Sequence, residues 1–162
     1  MSDGNITLLY SLAMVVDAAA ALFAGKAYDQ LKIKTEMRTG GLLVLIAIPF
    51  LTLLLPFLTL SNSTVLIVIG MIVFGIVMGT HETVMRSAIA DITPFSKRGT
   101  GYGVFNTGYG LALLGGAALM GLLYDMNMIG IIIAFTCITE LIAVILYFKM
   151  NNMVKNSHQA EL

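Results

Sequence analysis

Five stretches of the chain are almost continuously apolar, and short polar segments separate them. They run over Ile6–Tyr28, Thr39–Leu60, Thr64–Asp91, Gly101–Tyr124 and Met128–Phe148. A barrel strand would alternate in polarity over about 10 residues, which is not this pattern. Each stretch reaches the ~20 residues that a helix needs to cross ~30 Å of hydrocarbon at ~1.5 Å per residue. The pattern predicts an all-α, polytopic membrane bundle of five transmembrane helices over residues 1–150, with a polar tail over 151–162. The third stretch is the longest and should tilt or protrude. Pro94 follows it as a breaker, while Pro49 and Pro56 fall inside the second stretch and should bend it.

Composition supports the membrane class. Hydrophobic residues make up 58% of the 162 and charged residues only 11%, against ~25% charged in soluble domains. A net charge of zero gives no support to nucleic-acid binding. One cysteine, Cys137, allows no disulfide framework within the chain.

The basic residues are unevenly placed. Lys26, Lys32, Lys34 and Arg38 flank the first connection, Lys97 and Arg98 lie in the third, and Lys149 and Lys155 follow the last span. The amino end and the connections "SNS" and "DMN" carry none. All eight fall on one side of the five-span threading, and the ninth, Arg86, lies near that side. The positive-inside rule makes that side cytoplasmic, with the N-terminus outside and the C-terminus inside the cell membrane. The first span is not a signal peptide, because its basic residues follow the apolar stretch.

Asp17, His81, Glu82, Arg86 and Glu140 lie within spans. A charge at mid-membrane costs ~2.5–3.5 kcal/mol on insertion scales, so each should face the bundle, a water cavity or a partner. Glu82 and Arg86 stand four apart, acid first, the favourable order for a same-face ion pair. They form either an internal pair or, with His81, the wall of a solute or proton path. Asp17 has no basic partner in its own helix and is a candidate proton site. Asn106 and Tyr109 could hydrogen-bond a solute, and Glu140 suits a structural or partner contact. "HETVM" at 81–85 lacks the second histidine of a zinc site. No nucleophile triad or phosphate loop occurs, so no enzyme activity, metal or cofactor is expected.

"GKAYD" at 25–29 returns as "GLLYD" at 121–125, 96 positions on and three spans away. Equivalent helices would then point in opposite directions, as in the inverted three-helix repeats of secondary transporters. Span one would match span four and span two would match span five. Span three would match a helix preceding span one. Glycine and Tyr-Asp are also common at membrane borders, so coincidence stays open. Half of the 16 glycines lie in or just before the fourth span. Small residues let helices approach closely in lipid.

The segment His81–Asp125, with its spacing of Asp91, Pro94, Arg98, Gly99 and Gly103, resembles the tenth and eleventh helices of a major facilitator superfamily transporter. "YSLAMVVDAAAALFAGKAYDQLK" resembles the eighth helix and the loop after it, where Gly25 and Asp29 match the family signature and Gln30, Lys32 and Ile33 depart from it. The resemblance implies a partial major facilitator fold, the last five of twelve helices, in a secondary transporter for a small solute. It implies that the third span lines a cavity, which adds to the candidate solute or proton path read from the residues, Asp17, His81, Glu82, Asn106 and Tyr109. It also implies a candidate cytoplasmic latch of Gly25, Asp29, Arg86, Asp91 and Arg98, with Asp29 pairing with Arg86 or with a helix of another half. The expected partners are the lipid bilayer, a separately encoded N-terminal half or a second copy, and the solute. Without such a partner the chain should be inactive. The alternative is a non-transporting membrane protein that docks helices through its Gly-rich faces.

Overall fold

The computed structural model describes residues 3–35 and 40–159, with side chains over 5–35 and 40–149. Arg38 and Thr39, and the side chain of Lys155, lie outside these residues. The elements are α1 (Asp3–Thr35), a 3-10 segment (Gly40–Ile46), α2 (Ala47–Thr59), α3 (Thr64–Ile92), a 3-10 turn (Phe95–Lys97), α4 (Arg98–Asp125) and α5 (Ile129–Gln159). Among the described residues there is no strand, and five helical spans are long and apolar enough to cross a membrane. The lone cysteine, Cys137, is exposed on α5.

Local chemistry explains where the helices stop. α3 ends at Ile92, two residues before Pro94, and the Thr93 N–H still donates to the Ile89 carbonyl at 3.0 Å. α4 ends in a Schellman motif. Asn127 takes φ 56°, its N–H donates to the Tyr124 carbonyl at 2.9 Å, and the Met128 N–H donates to Leu123 at 2.9 Å. Asparagine tolerates this left-handed conformation, which most side chains avoid.

The second span changes its winding. Pro49 has no N–H for the Leu45 carbonyl and its ring crowds that oxygen, so the stretch before α2 coils more tightly as a 3-10 helix. Pro56 lies inside α2, flanked by Thr52 and Thr59, whose hydroxyls donate back to the Ile48 and Leu55 carbonyls at 2.9 and 2.7 Å. α1 also runs one to two turns past Tyr28, into residues that look like a connection. The extra turns end in Lys32 and Lys34, a favourable place for cations on a helix dipole.

α1 and α3 form the tightest pair and run side by side in the same direction. Glycine makes this possible. A Cβ on Gly75 would fall on the Ala13 carbonyl oxygen, and one on Gly79 would fall on the Asp17 carbonyl oxygen. At the basic end of this seam Ala24, Tyr28, Leu42, Val84 and Ala88 form a small core. The Tyr28 ring is sealed by Gly41, where any Cβ would strike it. α2 packs on α3 and α5. α4 is the least embedded helix: none of its described residues is buried, and its contacts with α3 and α5 are sparse.

Candidate functional site

Three groupings of polar or cavity-lining residues stand out, and each has a different character. The first closes the basic end of the α1–α3 seam. Lys32 Nζ donates to both oxygens of Asp91 at 2.7 and 2.8 Å, and the Tyr28 hydroxyl donates to Asp91 Oδ2 at 3.0 Å. Asp91 is mostly buried and Tyr28 is 1% exposed. This acid is therefore held by a cation and a phenol from one neighbouring helix. Gly25 sits beside Thr83, with room for ordinary contact. Asp29 is exposed on the outer side of α1. Its pairing with Arg86 is not formed here, because Arg86 is held within its own helix. Arg98 opens α4 with its guanidinium 5.4 Å from the centre of the Phe95 ring, and its buried Nε has no hydrogen-bond partner.

The second grouping is an exposed polar strip across α3 and α4. Arg86 donates to Glu82 at 3.2 Å, and the Tyr102 hydroxyl donates to the Arg86 carbonyl at 3.1 Å. Asn106 lies one turn beyond Tyr102 and is exposed. The Arg86 side chain is 61% exposed. Arg86 lies about 9 Å, at ~1.5 Å per residue, from the end of α3.

The third is a groove between α2, α3, α4 and α5. It comprises a cavity of about 710 Å³ toward the basic end and one of about 870 Å³ toward the opposite end. Both are lined by Thr52, Tyr109 and Glu140, so the two halves meet there. His81 stacks on Tyr109 with ring centres 5.6 Å apart, and Phe105 stacks on the same tyrosine at 5.7 Å. The Tyr109 hydroxyl approaches Met78 Sδ at 3.8 Å. Glu140 makes no hydrogen bond or ion pair with the described residues, although it sits at mid-span on α5.

Of the residues singled out for a path, His81 and Tyr109 come together at the groove, and Glu82 and Asn106 belong to the exposed strip. Asp17 is elsewhere. It lies in the α1–α3 seam against Gly79, and its buried Oδ1 has no hydrogen-bond partner. An orphaned oxygen of this kind is costly, which makes Asp17 a strained point of the seam.

The chain matches the family model of the Major Facilitator Superfamily over residues 1–161. It belongs to that superfamily. Uncharacterized proteins of Mycobacterium tuberculosis and Mycobacterium bovis are similar to it, each 34% identical over 150 residues. Those matches cover 93% of this chain and 34% of each relative, so the chain spans about a third of their length. No solved structure matches.

Membership in a family of transporters makes the intramembrane polar groups the natural functional candidates. Sequence reasoning missed the contact that closes the basic end of the seam. Lys32 and Tyr28 were part of a motif and a connection, with nothing to tie them to Asp91. Glu140, expected to make a structural or partner contact, stands at the groove without a partner among the described residues.

Proposed function

We propose that the chain is the C-terminal part of a secondary active carrier that moves a small solute by alternating access, and that it is inactive without an N-terminal partner portion. The basic end faces the cytoplasm of a cell-membrane protein, in keeping with the positive-inside rule. The observation that carries this reading is the Glu82–Arg86 pair, left exposed on α3 beside Tyr102 and Asn106. Hydrocarbon penalises such a face, whereas a second helical bundle enclosing a water-lined path does not. Glu82, Arg86 and Asn106 would line that path. His81 and Tyr109 border it, and Asp17 serves the seam behind it. Lys32, Tyr28 and Asp91 fasten α1 to α3 within this half. The exposed Asp29 remains for a contact with the other half, one turn from Gly25.

The test is water access in the assembled carrier. With Cys137 replaced by alanine, Asn106→Cys is expected to react with a membrane-impermeant maleimide. Leu111→Cys, about 140° further round α4 at ~100° per residue, is expected to stay unreactive. An unreactive Asn106→Cys, or equal reaction at both sites, contradicts a solute path along this strip.

A further inference from the structure

The charges along the polar strip of α3 and α4 do not balance. Two guanidinium groups, Arg86 and Arg98, stand on these helices, against one free-standing carboxylate, Glu82. Arg98 lies one turn before Tyr102 on α4, so the two share a helix face. It meets the Phe95 ring but no acid among the described residues. The second acid of α3, Asp91, is already taken by Lys32 and Tyr28.

Arg86 is far from saturated. A guanidinium carries five N–H donors in a planar fork. One of them reaches Glu82 at 3.2 Å, longer than the ~2.7–2.9 Å of a tight charge-assisted bond. The others have no partner among the described residues. The Arg86 side chain is 61% exposed, against 35% for Glu82. The strip therefore offers its cation and partly withholds its acid. Tyr102 spends its hydroxyl hydrogen on the Arg86 carbonyl, which fixes α4 beside α3 at this residue. The exposed Asn106, one turn beyond Tyr102, adds further amide donors.

We propose that the strip selects a solute bearing a single carboxylate, which Arg86 binds through its open donors while Glu82 serves as the resting counter-ion. This assignment rests on the reading of the strip as a solute path. A planar carboxylate matches the guanidinium fork with two parallel hydrogen bonds. One negative charge also balances the strip's excess of one cation, whereas a phosphate ester would bring ~1.5–2 charges. A cationic solute would face the open guanidinium before it reached the acid.

The measurement is protection of Arg86 from the arginine reagent phenylglyoxal in the assembled carrier, with the modified residue located by mass spectrometry. Benzoate is the probe, and benzamide is its uncharged match in shape. Benzoate is expected to slow modification of Arg86 about tenfold, as a charge-assisted bidentate contact would, while benzamide leaves the rate unchanged. Glu82→Gln removes the competing acid and is expected to lower the half-protecting benzoate concentration about tenfold. No modification of Arg86, equal protection by the two probes, no protection by either, or no shift in Glu82→Gln overturns the proposal. Protection by phosphatidylglycerol in the bilayer and none by benzoate also overturns it, since the occupant would then be a lipid headgroup. Maleimide reaction at Asn106→Cys separates the two readings: where that cysteine reacts and benzoate fails to protect, the solute path stands and the carboxylate preference falls.

Discussion

Replacing Gly79 by leucine is expected to separate α1 from α3 and to collapse the bundle. The Cβ alone would fall on the Asp17 carbonyl oxygen and lie 3.0 Å from its carbonyl carbon. Backbone atoms in mid-helix cannot rotate aside as the end of a side chain can, so the two helices must move apart. Overpacking of this kind costs ~1–3 kcal/mol in ordinary cores. Here the cost should exceed that range, because separation also loses the contacts around Gly75, which meets Ala13 and Val16 in the same seam. Gly115→Ala is the matched comparison. Nothing lies within 4 Å of a Cβ there, and alanine favours the helix. Thermal unfolding in detergent should show a large loss of Tm for Gly79→Leu and little change for Gly115→Ala. Similar Tm values for the two would contradict the seam.

Asp91→Ala is the second large effect, and it acts at the basic end of the same seam. It removes the shared acceptor of Lys32 and Tyr28. The two partners do not suffer equally. Lys32 is a third exposed and can turn toward water, whereas Tyr28 is buried against Gly41 and keeps an unpaired hydroxyl. The loss should be about 2–3 kcal/mol, most of it from the stranded phenol and the remainder from the partly screened ion pair. Lys32→Met should cost less, since Asp91 keeps the Tyr28 donor. Denaturant titrations of the two variants in micelles check the order. A milder effect for Asp91→Ala than for Lys32→Met would mean that the charge pair, not the phenol, carries the contact.

Much of this architecture was legible in the sequence because lipid simplifies the code. Hydropathy alone marks spans of the length a bilayer requires, and Pro94 stands where a helix must stop. The Glu82–Arg86 pair followed from helical spacing within one element. What could not be read was anything joining elements. The sequence gives no reason to prefer Lys32 over Lys26 or Lys34 as the partner of Asp91, 59 residues away. It depends on α1 continuing as a helix through a polar stretch, which brings Lys32 to Asp91 of α3. Asp17 was similarly ambiguous. An unpartnered acid at mid-span fits a proton site or a packed seam, and the structure places it against Gly79. The repeated pentamer had two meanings because its two copies have different fates, with one tyrosine sealed in a core and the other facing a groove.

The central claim is that the chain crosses the membrane at each of its helices, so that α1 and α4 are threaded in opposite directions. Single cysteines in the Cys137→Ala background test it directly, at Ser63 between α2 and α3, at Ser96 between α3 and α4, and at Met126 after α4. In intact cells an impermeant maleimide is expected to label Ser63→Cys and Met126→Cys, and to reach Ser96→Cys only after the membrane is permeabilised. Labelling of Ser63→Cys and Ser96→Cys from the same side would contradict the threading, and with it the inverted repeat.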